Sequence, residues 1–333
     1  MKRVLFVFMR NSSFVRFDRE ILEDGYDVVD FQFPLRKPET DRLSVPWILN
    51  RRKALKAAIR DVDAVFSWFG DMPAAYATRY ARQQGKKSIV VAGGYGAAYI
   101  EGTKYGLQQR WFRRRYAKYA FENADLVLSV SKGIHRDLNR FAKPRKEVVI
   151  YNGVRTENFK PGEKERKVLT VGDVSPVSNW RKGNETFVRA AAHLPDVPFY
   201  LVGKASRGAD VPLREIATDN VTLTGFISEE ELHHHFETSK VYVQPSIYEG
   251  FGVSVAEGML CNCVPVVTRN GALPEVVGDT GFYVPAEDPA ATAKAIEKAL
   301  DSDRGPSARQ HVLDNFPMER RHDAILKELA DVV

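Results

Sequence analysis

Short apolar runs rich in β-branched residues alternate along this chain with longer stretches whose apolar positions recur at helical spacing. The alternation starts twice. Val4–Met9, Val28–Phe33, Ala64–Ser67, Ser88–Val91, Leu126–Ser129 and Val148–Tyr151 read as strands, with helical stretches such as Arg52–Arg60 and Pro73–Gln84 between them. The pattern restarts with Val168–Val171, Phe199–Val202, Val221–Thr224, Val241–Val243 and Val264–Val267. Alternation of this kind predicts parallel sheets with crossover helices. The expected fold class is α/β, with two doubly wound, Rossmann-like parallel-sheet domains facing a cleft. Pro161 and Gly162, set among charges, mark the join, so the expected domains are residues 1–157 and 158–317. Ser228-Glu229-Glu230-Glu231 has the spacing of a capping box and starts a helix. The amphipathic run Met318–Val333 reads as a last helix, a candidate to pack back on the first domain, although the pattern does not reveal its partner.

In such sheets ligands bind at the carboxyl ends of the strands. That points to Arg10–Phe17, Phe69–Met72, Gly93–Tyr99, Gly172–Lys182, Gly203–Arg207, Gly225–Ile227 and Ser246–Gly252. Tyr248 to Glu257, Y-E-G-F-G-V-S-V-A-E, is the most informative of these. Pro245 and Ser246 end a strand, Gly250-Phe251-Gly252 makes a turn, and a helix is predicted from about Val253. Glycines there let backbone N–H groups approach a phosphate, and the helix start adds partial positive charge. At 1.5 Å per residue, Glu257 lies about 7–8 Å along the axis from Gly252. One ligand can then meet a carboxylate at each end, Glu249 and Glu257, and amide donors between them. A nucleoside diphosphate sugar has that layout.

Composition narrows the reading. A chain of 333 residues, 44% hydrophobic and 28% charged, is an ordinary globular protein of two domains. No apolar run approaches 18 residues, and Val4–Met9 is too short for a signal-peptide core. Cys261 and Cys263 are too close to bridge well, and C-x-C alone is no zinc site, so a cytoplasmic protein without disulfides is expected. The net charge of +6 suits an anionic small substrate or a membrane surface, and no signature of nucleic-acid binding accompanies it.

The motifs together resemble glycosyltransferase family 4, the retaining group 1 transferases of the GT-B fold. The resemblance rests on Ala124-Asp125 leading to Ser129-Val130-Ser131, then Tyr151-Asn152-Gly153-Val154 with Phe159 and Pro161. Val171-Gly172, Lys182-Gly183, Leu201-Val202-Gly203 and Gly225-Phe226-Ile227 follow, and after the Glu-x7-Glu stretch come Pro265-Val266-Val267 and Gly271 through Val277. The resemblance implies a metal-independent enzyme without a cofactor, which moves a sugar from a UDP- or GDP-sugar to a hydroxyl of a glycan, polysaccharide or lipid-linked acceptor with retention. It implies that the second domain binds the donor and the first the acceptor. Glu257 would accept from the ribose hydroxyls, and Glu249 would hold a hydroxyl of the donor sugar. Gly250, Phe251 and Gly252 would contact sugar and phosphate, Lys182 would neutralise the diphosphate, Gly172 would count among the donor-binding residues, and Phe226 and Ile227 would recognise the base.

Three departures bear on the chemistry. Asp173 stands where many members carry arginine, leaving Arg181 or Arg207 to supply that charge. The usual glycine pair after the first strand is replaced by Arg10, Asn11, Ser12 and Ser13. No histidine precedes His135, so Gly94, Tyr95 or Gly96 occupies the loop where members often place one. Asn11, Ser12, Gly94 and Tyr95 are accordingly the acceptor-side candidates. An epimerase or phosphorylase on the same architecture, or a non-catalytic nucleotide-sugar-binding subunit, are the alternatives.

Other features weigh less. Asp61-Val62-Asp63 precedes a strand rather than following one, and His233, His234 and His235 fan out around a helix, so neither is expected to hold metal. Lys104–Phe121 mixes Arg110, Arg113, Arg114, Arg115 and Lys118 with Trp111, Phe112, Tyr116 and Tyr119. Phe112, Tyr116 and Tyr119 at helical spacing read as a core-facing stripe. The other reading is peripheral contact with an anionic lipid surface, at the inner face of a membrane, or with a phosphate-bearing acceptor.

Overall fold

The computed structural model describes residues 1–34, 44–100, 103 and 105–333. They form two compact units, Met1–Asn152 with Glu319–Val333, and Gly153–Met318. The first holds β1 (Arg3–Phe8), β2 (Asp27–Gln32), β3 (Ala64–Trp68), β4 (Lys87–Ala92), β5 (Leu126–Ser129) and β6 (Glu147–Val149). These strands make one parallel sheet in the order β2-β1-β3-β4-β5-β6. The second holds β7 (Glu165–Val171), β8 (Phe199–Val202), β9 (Val221–Gly225), β10 (Ser239–Gln244), β11 (Val264–Thr268) and β12 (Phe282–Val284). Its parallel order is β12-β11-β10-β7-β8-β9.

Central strands such as β3, β5 and β11 are buried along their whole length, because helices cover both faces of the sheet. That burial is what writes strands as unbroken apolar runs. β12 escaped the pattern: three residues between Gly281 and Pro285, two of them only partly buried, carry too little signal. The helix expected over Arg52–Arg60 instead runs Val45–Ala58, started by Ser44, whose hydroxyl accepts from the Trp47 amide at 3.4 Å. Ser228 and Glu231 form both halves of the capping box.

The reading of Phe112, Tyr116 and Tyr119 as a core-facing stripe holds in part: Tyr116 is partly buried against the core of the first unit and Tyr119 is partly buried, whereas Phe112 turns outward. The helix Trp111–Asn123 turns Ala117, Ala120 and Phe121 inward, and Phe112 is 52% exposed. Small alanines let this helix sit close to its neighbours, and the aromatics of its first turn are left outside that contact. Lys104, the expected start of the basic segment, lies outside the described residues.

The helix Met318–Ala330 buries Arg321, Ile325 and Leu329, spaced at i, i+4 and i+8. Arg321 makes a two-pronged pair with Asp18, Nε to Oδ1 at 2.6 Å and Nη2 to Oδ2 at 2.7 Å, with both residues buried. Its Nη1 donates to the carbonyls of Ile150 and Tyr151 at 2.9 and 3.0 Å. Four of the five guanidinium N–H groups are thus occupied, which compensates the removal of the charge from water. No helix among the described residues is long and apolar enough to cross a membrane.

Candidate functional site

Strand order decides where a site can form. In the second unit the chain moves outward from β7 through β8 to β9, then returns to place β10 on the other side of β7. The connections after β7 and β10 therefore leave in opposite directions and open a crevice at their carboxyl ends. Val171-Gly172-Asp173 ends β7, and the helix Pro176–Lys182 follows, capped by Ser175, whose hydroxyl accepts from the Ser178 amide at 3.1 Å. Gly183 closes it at φ +74°, and a Cβ there would lie 2.3 Å from the Pro245 carbonyl oxygen. Only glycine permits that approach, and it presses Arg181 and Lys182 against the end of β10. Lys182 lies over Gly172, where a Cβ would meet its side chain at 2.8 Å, and its Nζ reaches the Val171 carbonyl at 3.5 Å.

From the other side β10 ends in Gln244, which is 1% exposed. Its Nε2 donates to Glu249 Oε2 at 2.8 Å. Its Oε1 accepts from Ser254 Oγ at 3.2 Å and lies 3.4 Å from the Tyr242 hydroxyl. Glu249 Oε2 also receives Arg181 Nη1 at 3.1 Å, and the same nitrogen donates to the Tyr248 carbonyl at 3.1 Å. Glu249 Oε1 accepts from the Gly250 amide at 3.2 Å, while its backbone carbonyl accepts from the Ala272 amide at 3.0 Å. Glu249 is therefore held at side chain and backbone alike. Gly252 at φ +101° turns the chain into the helix Val253–Leu260, which carries Glu257. Gly258 brings that helix against β10, where a Cβ would meet the Tyr242 ring at 2.9 Å.

Burial sets the electrostatics. Burial pushes the Lys182 ammonium below its ordinary value, opposed by the Glu249 carboxylate. Burial also pushes Glu249 upward, but the positive charges of Arg181 and Lys182 with the bond from Arg181 outweigh it, and its carboxyl ends below the ordinary value. Glu257, with Lys182 as its one opposing charge, is pushed by burial up to about 7. Two fixed cations, one locked carboxylate and one carboxyl poised near neutrality thus share a crevice. The arrangement suits a ligand that carries both phosphate and hydroxyl groups.

Two family models match the chain, one described as Glycosyltransferase Family 4 over residues 5–158 and one as Glycosyl transferases group 1 over residues 165–302. The chain belongs to glycosyltransferase family 4. O-antigen chain mannosyltransferase B of Escherichia coli is 40% identical over 80 residues, which is 24% of this chain and 21% of the relative. An uncharacterized glycosyltransferase of Methanocaldococcus jannaschii is 32% identical over 168 residues, 50% of this chain and 46% of the relative. These matches thus span less than half the length of either relative. Sucrose-phosphate synthase from Thermosynechococcus elongatus superposes with a TM-score of 0.82 at 21% identity, covering 99% of both chains. Anabaena HepE, solved in complex with UDP and glucose, superposes at 0.81 with 16% identity, covering all of both chains. At such identities the likeness is one of fold, and that fold is GT-B.

In this family 4 chain Asp173 is taken up by Ser178, whose hydroxyl donates to it at 2.7 Å. Of the two arginines that the sequence offers in place of the family's, Arg181 lies in the cluster. Arg207 is exposed on the loop after β8 and shares no hydrogen bond with the cluster among the described residues. Phe226 follows Gly225 (φ +73°) at the end of β9 and is 82% exposed, with Ile227 partly buried beside it. His233 packs on Phe159 and His235 on Tyr200.

The acceptor-side candidates belong to the first unit. Asn11 is exposed after β1, and the Ser12 hydroxyl is buried with no protein partner. Phe14 packs on Trp68 and Phe69 at the end of β3, with ring centroids 5.1 and 6.1 Å apart, and the buried Trp68 Nε1 likewise lacks a protein partner. Phe69 has φ +69°, rare for a bulky residue. Gly94 has φ +140°, and Tyr95 stacks edge-on with Tyr105 at 5.2 Å. Arg113 is paired with Asp71, which caps the helix Met72–Gln83.

Sequence reasoning missed Gln244, Trp68 and Phe14. A lone polar residue ending the apolar strand β10 was the available signal for Gln244. The two aromatics carry none, since only the fold brings them together.

Proposed function

We propose that this chain transfers a hexosyl group from a nucleoside diphosphate sugar, UDP- or GDP-linked, to a hydroxyl of a glycan, polysaccharide or lipid-linked acceptor. The reaction would proceed with retention, without metal or cofactor, in the cytoplasm. The carrying observation is the arrangement of Lys182 and Arg181 around Glu249, with Glu257 on the helix that follows the glycine turn. HepE and the Staphylococcus aureus TarM, solved with UDP, favour UDP as the donor's nucleotide.

Each residue then has a task. The bond from the anomeric carbon to the diphosphate breaks, the acceptor oxygen bonds to that carbon, and the acceptor's proton leaves with the diphosphate. Negative charge grows on the leaving group, where Lys182 and Arg181 are already in place, so little reorganisation is needed. Arg181 fills the role that Asp173 vacates. Glu249 orients a sugar hydroxyl, and Gly172 leaves room for Lys182. The turn Gly250–Gly252 meets phosphate and sugar, Phe226 and Ile227 meet the base, and Glu257 accepts from the ribose. Asn11, Ser12, Gly94 and Tyr95 meet the acceptor.

Thermal stabilisation by UDP, GDP, ADP and dTDP on wild type and Glu257→Gln tests the donor site. One nucleotide at 100 times its Kd stabilises the native state by about 2.7 kcal/mol, and the variant loses that shift. Turnover of the matching sugar nucleotides, followed by nucleotide release, separates the alternatives. Release without acceptor and with a new sugar epimer indicates an epimerase, and dependence on inorganic phosphate indicates a phosphorylase. Binding with neither hydrolysis nor transfer indicates a non-catalytic subunit.

A further inference from the structure

An apolar cavity of about 490 Å³ opens in the first unit between the helices Met72–Gln83 and Trp111–Asn123. Tyr76 lines it from one helix, and Trp111, Phe112, Tyr116 and Tyr119 line it from the other. The Tyr76 and Tyr116 hydroxyls bond each other at 3.4 Å, which spends polar groups that would otherwise face the cavity. Burial, with that bond, pushes Tyr76 up to about 12, so the wall stays neutral. The Arg52 guanidinium lies 4.2 Å from the Tyr76 ring centre and supports it from the neighbouring helix.

Two cations complete the lining. Arg79 and Arg115 are exposed, and neither has an ion pair or hydrogen bond among the described residues. Arg113, one turn away, is by contrast tied to Asp71. Trp111 is 76% exposed and Phe112 is 52% exposed. Among the described residues no carboxylate lines the cavity. Unpaired guanidinium groups around an apolar, aromatic-walled pocket match a ligand that is anionic at one end and apolar at the other. Exposed aromatics of this kind sit well at the boundary between headgroups and acyl chains.

We propose that this pocket docks the first unit on a bilayer by taking one anionic lipid. An acyl chain lies against Tyr76, Phe112, Tyr116 and Tyr119, the headgroup phosphate meets Arg79 and Arg115, and Trp111 sits among neighbouring headgroups. Docking of this kind needs neither donor nor turnover.

Co-sedimentation of the full chain tests it, with vesicles of equal parts phosphatidylcholine and phosphatidylglycerol against phosphatidylcholine alone. The wild type pellets with the mixed vesicles only. Arg79→Gln/Arg115→Gln weakens binding about thirtyfold, from about 1 kcal/mol for each arginine near an anionic surface. Trp111→Ala/Phe112→Ala loses binding with all charges kept, and both positions are exposed enough to leave the fold unchanged. Lys294→Gln/Lys298→Gln removes the same charge from exposed positions of the second unit and keeps binding. Equal loss in that control means diffuse attraction to a chain of net charge +6 and overturns the proposal. So does displacement by inorganic phosphate at constant ionic strength, which would make the ligand a free anion, and so does failure of the wild type to pellet.

Discussion

The two units repeat one architecture and furnish it in opposite ways. In each, strand order reverses beside a central pair, β1 with β3 in the first and β7 with β10 in the second. At the β7–β10 crevice the side chains are charged or polar and tied down: Arg181 and Gln244 both bond Glu249, and Lys182 bonds the Val171 carbonyl. At the β1–β3 ends they are aromatic, and the Ser12 hydroxyl and Trp68 indole N–H are buried with no protein partner. A charged ligand end requires rigid, prepaid electrostatics, because reorganising buried charge during binding is costly. Unspent hydrogen-bonding capacity beside aromatic faces suits a neutral, hydroxyl-rich ligand instead. Backbone strain follows the same division. Around the charged cluster the positive φ angles belong to Gly183, Gly203 and Gly252, whereas the aromatic ends place Phe69 there.

The largest expected effect lies under the aromatic ends. Arg321 pairs with Asp18 and its Cζ lies 5.9 Å from the Trp68 ring centre. Arg321→Met leaves Asp18 buried without its cation and should cost about 3–5 kcal/mol in chemical denaturation. Asp18→Leu/Arg321→Met should recover most of that loss. If the single variant unfolds like wild type, the aromatic ends do not depend on a buried charge.

The charged crevice makes stability depend on pH. Glu257 is raised from an ordinary 4.5 to about 7, so the folded state holds its proton more tightly than the unfolded chain. Its contribution is fully present below 4.5, falls as pH rises through the window to about 7, and is gone above it. Allowing for the side chain's partial exposure, the fall is about 1–3 kcal/mol, and Glu257→Gln should flatten it. Ribose hydroxyls donate best to the charged form, so nucleotide Kd should tighten as pH rises through the same window. A Kd that ignores pH separates Glu257 from the ribose.

Gln244→Leu tests whether the bond from Gln244 positions Glu249. Glu249 then loses one of its three side-chain donors, and kcat should fall about tenfold with KM for the donor little changed, from about 1.5 kcal/mol for a bond to a charged group. Gln244→Glu, which puts a carboxylate beside Glu249, should fall further. An unchanged kcat in both variants leaves Gln244 a structural residue. The smallest effect is at Phe69. Phe69→Gly should be more stable than Phe69→Ala by about 1 kcal/mol, since only glycine takes φ +69° without strain.

Much of this was legible in the sequence, for physical reasons that also mark its limit. Buried parallel strands must be apolar on both faces, so β3, β5 and β8 stand out as runs. The crevice stood out because a strand, a glycine turn and a helix with two glutamates occupy one short stretch. Val45 and Leu49 hid the start of their helix, because both are exposed and break its amphipathic pattern. Arg321 was illegible for the reverse reason: a cation on a buried stripe reads as polar until Asp18 is found opposite. The bond from Gln244 to Glu249 and the packing of Phe14 on Trp68 depend on where loops return, which no local pattern encodes.

The buried pair between Asp18 and Arg321 joins residues 303 positions apart. During synthesis the second unit, one continuous stretch from Gly153 to Met318, is made in full before Arg321 is added. The first unit, begun earlier, must wait with Asp18 uncompensated until its final helix emerges. Vectorial synthesis ordinarily lets the N-terminal domain finish first. Here the first unit cannot close its buried pair until the second has been synthesised in full.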